Sequence, residues 1–148
     1  IENTKLLSNY YDAITMWDVI EHLSNPKAAI KLSYNALKPK GVIAIGTPQV
    51  ESFMFKLLGG NHPYFIRMHT VLFSPQTLGS LLEKNGFKIL ETYTYGRTYS
   101  FDYFLRRLET KFKILKYLRK ITKHKFFFEH PITLNIGDEF TIVAEKIS

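Results

Sequence analysis

The apolar positions of this chain fall into runs whose period changes along its length. "YDAITMW", residues 11–17, carries β-branched and aromatic residues with little polar interruption. That pattern predicts a strand buried on both faces, as in a parallel sheet, ending near Trp17. "SNPKAAIKLSYNALKPKG" switches to helical spacing: Asn25 caps, Pro26 takes the first helical position, and Ala29, Ile30, Ser33 and Leu37 share one face. Pro39 and Gly41 are expected to stop that helix. "GVIAIGTP" is a second short buried strand closed by Pro48, so the order strand, helix, strand predicts a right-handed parallel crossover.

Residues 49–73 are irregular and aromatic, with helical turns expected only around "ESFMFKLLG". Long loops of this kind in compact domains often carry function. "SPQTLGSLLEKNG" restores a helix: Ser74 caps, Pro75 starts, Leu78, Leu81 and Leu82 face inward, and Gly86 ends it. "FKILETYTYG" reads as a third strand, and "DEFTIVAEKIS" alternates as a last one, placed where an antiparallel insertion is easiest. Between them Phe101, Phe104, Leu105, Leu108, Phe112, Leu115, Leu118 and Ile121 recur at three and four, with Arg106, Glu109, Lys113, Lys116 and Lys120 on the other side. This predicts an amphipathic helix over 101–121.

Charge sharpens that segment. The chain of 148 residues carries a net +7, but ten basic residues between Arg97 and Lys125 face only Asp102 and Glu109, a local +8 that leaves the rest at −1. The basic character therefore belongs to one element rather than to the whole surface. A composition 45% hydrophobic and 15% aromatic supports one packed core. Absence of cysteine excludes disulfides, thiolate metal sites and a cysteine nucleophile, and fits a reducing cytoplasm. No charged-then-apolar leader opens the sequence, and runs such as "GVIAIG" are far shorter than a bilayer requires, so a cytoplasmic location is expected.

A strand ending in an acidic and His cluster, a helix, the turn "LKPKG", the strand "VIAIGTP", then "HTVLFSP" before a helix ending "KNGF" resembles the second half of class I S-adenosylmethionine-dependent methyltransferases. The group it is most similar to is that of the ubiquinone-biosynthesis O-methyltransferases. The resemblance implies an α/β fold, the C-terminal half of a Rossmann-like methyltransferase sheet with strands 4-5-7-6 and the last strand antiparallel. Flanking helices and the basic amphipathic insert complete it. It treats residues 1–148 as one partial domain, with 97–131 inserted between the last two strands. The family's turn is usually Lys-Pro-Gly-Gly, so Lys40 departs from it, mildly if the backbone needs no positive φ there. The family's Gly-rich cofactor turn and the acidic residue ending its second strand do not occur in these residues. The first three strands are thus expected outside this sequence, leaving the edge of 11–17 open. An open apolar edge favours pairing, so a homodimer through that strand is expected.

The resemblance also names chemistry. S-adenosylmethionine is the implied cofactor, with Ile1, Glu2, Met16, Trp17 and Asp18 on its side of the cleft. Methyl transfer to a hydroxyl needs positioning and a base; His22 lies just beyond the C-terminal end of a parallel strand, and an imidazole, with an ordinary pKa of about 6.5, is the side chain type that suits the role. His69 matches the family's recurrent His before Phe-Ser and is the second candidate; His62 is less specific. In the resembling group an E-x-x-E-H pattern has been associated with a divalent metal, here Asp18, Glu21 and His22. A purely structural role stands beside these: Asp18 and Glu21 solvating the turn, His22 packing beside "LSNP". No Asn/Asp-Pro-Pro-aromatic run follows the strand and no cysteine exists for pyrimidine methylation, which argues against a nucleic-acid base and for a hydroxyl of a small molecule, lipid or sugar, with methylation at carbon or nitrogen left open. The 101–121 segment admits a lid over the substrate, an anchor on anionic lipid or a contact to nucleic-acid phosphates; the lid with peripheral membrane contact is preferred, since no nucleic-acid motif is present, and beside it stands a helix packed on the sheet with its charges solvated. Set against the enzyme is a non-catalytic partner domain that uses the open edge and the basic helix.

Overall fold

Two apolar strands separated by one helix pair directly and in parallel, as the crossover pattern requires. The computed structural model describes residues 5–61, 68–94, 97–100, 109, 131–134 and 137–147. Along the chain run β1 (Tyr11–Trp17), a 3-10 turn (Ile20–His22), α1 (Pro26–Ala36), β2 (Leu37–Pro48), α2 (Phe53–Leu58), α3 (Pro75–Glu83), β3 (Phe87–Thr94), β4 (Arg97–Ser100), β5 (Pro131–Leu134) and β6 (Glu139–Lys146). A four-stranded sheet takes the order β1-β2-β6-β3, with β2 parallel to β1 and β6 antiparallel to both of its neighbours. This is the expected 4-5-7-6 arrangement with an antiparallel last strand.

The helices form where their caps and stripes demand. Asn25 Oδ1 accepts from the Ala28 N–H at 3.0 Å, and Ala29, Ile30 and Ser33 turn inward. Ser74 and Thr77 cap α3 reciprocally, side chain to backbone in both directions, and Leu78 and Leu82 are fully buried against β3 and β6. Each such leucine contributes about 1.5–3 kcal/mol of apolar burial. With Met16, Ile30, Ile43, Ile45, Phe87, Phe140 and Ile142 they make one core.

Four expectations are corrected. α1 does not run to Pro39: it stops at Ala36, Leu37 is already extended, and β2 absorbs "LKPK" as a bulge between the Tyr11–Leu37 and Ala13–Val42 pairs. Within that bulge Lys40 has φ 62°, so the departure from the family's glycine is not mild; the backbone does take the left-handed region there. β1, read as buried on both faces, is the terminal strand of the sheet, with Asp12, Ala13, Thr15 and Trp17 exposed. β6, read as alternating, is the one buried on both faces, because it lies between β2 and β3. Strands β4 and β5, absent from the sequence reading, form a separate two-stranded antiparallel ladder, Arg97 opposite Leu134 and Ser100 opposite Pro131. The amphipathic helix over 101–121 lies outside the described residues apart from Glu109. No helix among the described residues is long and apolar enough to cross a membrane.

Candidate functional site

At the C-terminal end of the parallel pair, the backbone turns sharply. Trp17 pairs with Gly46, and its ring lies so close over that glycine that a Cβ there would sit 2.3 Å from Trp17 Cε3. Asp18 follows in the left-handed region at φ 51°, its N–H donating to the Gly46 carbonyl at 3.0 Å. That conformation, which Asp tolerates better than most residues, ends β1 and swings the chain into the Ile20–His22 turn.

Glu21 is thereby driven inward and is fully buried. The Thr47 hydroxyl, near the end of β2, donates to Glu21 Oε2 at 2.9 Å, while Oε1 is buried without a hydrogen-bond partner. Its backbone carbonyl accepts from the Thr70 N–H at 2.8 Å and the Val71 N–H at 3.3 Å. The Thr70 hydroxyl faces the carbonyls of Glu21 at 3.1 Å and Leu23 at 2.7 Å. Thr70 thus staples the stretch before α3 onto the turn after β1, although 49 residues separate it from Glu21.

The staple brings two histidines together. The rings of His22 and His69 meet edge to face with centroids 4.7 Å apart. His22 Nδ1 lies 3.0 Å from the Met68 carbonyl, and a carbonyl can only accept. Nδ1 is therefore the donor of that contact. One ligand atom from each of Glu21, His22 and His69 lies within 4.8 Å of the other two.

Of the residues singled out in sequence, Glu21, His22 and His69 converge. Asp18 does not belong to that group; it is exposed at the strand end. Met16 is buried beneath the same end of β1 and Trp17 is half exposed above it. Ile1, Glu2 and His62 lie outside the described residues. Thr47, Met68 and Thr70 were not anticipated. Thr47 had a signal, a hydroxyl closing an otherwise apolar strand; Met68 acts through its carbonyl and Thr70 through its N–H and hydroxyl, across a separation that no spacing encodes.

The residues present fit the metal that the E-x-x-E-H pattern implies only with a change of ligand. A buried carboxylate oxygen without a partner beside two imidazoles is a donor set that divalent ions take. Asp18, which that pattern names, is not part of the cluster that Glu21, His22 and His69 form.

The sequence pattern of the methyltransferase-domain family matches residues 2–92. No curated protein matches the chain. Among solved structures, a SAM-dependent methyltransferase of Thermotoga maritima is similar with a TM-score of 0.60 and 20% identity, over 98% of this chain and 60% of that one. A SAM-dependent methyltransferase from Archaeoglobus fulgidus gives 0.59 and 19%, over 95% and 62%. The [4+2]-cyclase SpnF gives 0.55 and 16%, over 98% and 53%. The chain thus spans about 60% of the length of the first of these, and at such identities the likeness is one of fold.

Proposed function

Because this chain belongs to the methyltransferase-domain family, we propose that it forms the acceptor side of an S-adenosylmethionine-dependent methyl-transfer site serving a hydroxyl of a small molecule, lipid or sugar. The observation that carries this reading is the meeting of His22 and His69, from two separate loops, at the end of the sheet where open α/β folds hold ligands. When bound, S-adenosylmethionine supplies an electrophilic sulfonium methyl group.

What the chain contributes is placement. Met16, Trp17 and Asp18 line the cofactor side at the end of β1, and Ile1 and Glu2 are read on that side from the sequence resemblance. His22 is oriented by the Met68 carbonyl, so its Nε2 lone pair is the acceptor-side group, and the His69 ring fixes one flank of the acceptor hydroxyl. Holding that oxygen in line with the methyl group lowers the barrier by removing orientational freedom, which methyl transfer depends on more than on covalent help. The similar SAM-dependent methyltransferases of Thermotoga maritima and Archaeoglobus fulgidus support the cofactor assignment.

Calorimetric titration of the complete protein with S-adenosylmethionine tests this. Saturable heat is expected, weakened about tenfold by Asp18→Ala, as loss of a hydrogen bond to a ligand hydroxyl does. No heat at millimolar cofactor contradicts the reading.

A second reading, a non-catalytic partner domain, is favoured by one observation: the large apolar side chains of Trp17, Tyr10 and Leu7 are exposed in and just before β1. Exposed apolar side chains of this kind mark surfaces that another chain covers. A dimer by light scattering, lost when Thr15 is replaced by proline, supports that reading; a monomer at high concentration removes it.

A further inference from the structure

We infer that Thr70 is a positioning residue for the His22–His69 pair, its hydroxyl holding the backbone on the far side of His22 through the Leu23 carbonyl. The inference deepens the proposed methyl transfer and rests on that reading for the reaction, not for the geometry of the pair.

Contacts run from Thr70 to both residues that flank His22. The Glu21 carbonyl accepts from the Thr70 N–H at 2.8 Å and from the Val71 N–H at 3.3 Å, which occupies both of its lone pairs. The Thr70 hydroxyl has a single hydrogen, and of the two carbonyls it faces, Leu23 at 2.7 Å is closer than Glu21 at 3.1 Å. That hydrogen therefore goes to Leu23. His22 is thus held before it by a backbone bond and after it by a side-chain bond, both from the residue that follows His69.

The Leu23 carbonyl depends on such a partner for its direction. The Leu23 N–H closes the 3-10 turn on Ile20 at 3.3 Å, but the residue itself is already extended, at φ −79° and ψ 137°, so its carbonyl lies beyond the turn. Thr70 is exposed, and water readily replaces a lost hydroxyl at such a carbonyl. The bond therefore acts on orientation more than on stability. Both ring contacts of His22, Nδ1 to the Met68 carbonyl and edge to face with His69, come from the residues directly before Thr70. A shift of this stretch against the turn moves them together, and a displacement of about 1 Å costs on the order of 100-fold in rate.

Thr70→Val removes the hydroxyl but keeps the branched shape and the N–H, whereas Thr70→Ser keeps the hydroxyl. The complete protein and both variants are compared by the nuclear Overhauser cross-peak between the His22 and His69 rings in histidine-labelled samples, and by transfer of label from methyl-labelled S-adenosylmethionine into organic-extractable small molecules. Thr70→Val is expected to lose the cross-peak and about 10- to 100-fold in transfer, and Thr70→Ser to keep both. A cross-peak absent from the unaltered protein, kept in Thr70→Val or lost equally in Thr70→Ser overturns the inference, as does transfer undiminished in Thr70→Val. No transfer by the unaltered protein contradicts the proposed methyl transfer instead, and the cross-peaks then decide the role of Thr70 by themselves.

Discussion

The Thr47 hydroxyl donates to Glu21 Oε2 at 2.9 Å across 26 residues of sequence, tying the end of one strand to the turn that follows its parallel neighbour. The bond satisfies one oxygen of a carboxylate that has no exposed surface. Thr47→Val keeps the shape and removes the donor. Leaving a buried carboxylate still less satisfied is expected to cost about 1–3 kcal/mol, read as a lower urea midpoint. Stability unchanged by the substitution would mean that the carboxylate does not depend on Thr47.

Gly46 is a contact requirement rather than a conformational one. A methyl group there would enter the Trp17 ring, 2.3 Å from Cε3. Gly46→Ala is expected to displace the ring at a cost of about 1–3 kcal/mol. Trp17 is the only tryptophan in these residues, so a red shift of its emission should accompany the loss.

Lys40 stands at φ 62°, where a side chain is penalised and glycine is not. Lys40→Gly should raise stability by about 0.5–1 kcal/mol, the left-handed penalty less the entropy glycine loses on folding. Thermal denaturation of the two proteins decides it; a lower midpoint for the glycine variant would contradict the assigned backbone.

Two lysines separate buried from surface electrostatics. Lys146 is buried, donates to Asn9 Oδ1 at 2.9 Å and the Leu37 carbonyl at 2.7 Å, and sits 4.6 Å from the centroid of the Tyr34 ring. Lys38 pairs with Asp12 at 2.7 Å on the surface. Lys146→Met should cost about 1–3 kcal/mol through the unsatisfied groups it leaves, and Lys38→Met no more than about 1 kcal/mol, since exposed ion pairs are weak. Equal losses would deny that the buried contacts hold the segment before β1 to β2.

What the sequence disclosed followed from local rules. Asn25-Pro26 and Ser74-Pro75 start helices wherever they stand, and apolar runs of seven or eight residues between turn signals are strands, so the elements were legible, while the 4-5-7-6 order was what the family resemblance implied. Burial was not local. Whether "YDAITMW" or "EFTIVAEK" is covered on both faces depends on which strand lies at the end of the sheet, and composition assigned the two the wrong way round. At the site, His22 and His69 were marked by type and place. The dependence of both on Thr70 comes from a backbone staple across 49 residues, and the exclusion of Asp18 from a suggestive motif comes from one left-handed residue.

The central claim is that the His22–His69 pair receives the acceptor in a methyl-transfer reaction. Transfer of label from methyl-labelled S-adenosylmethionine into organic-extractable small molecules, by the complete protein and its His22→Ala and His69→Ala variants, tests it most directly. The account predicts transfer by the unaltered protein, a fall of about 100-fold or more in each variant, and unchanged calorimetric affinity for the cofactor. Undiminished transfer in both variants would contradict it.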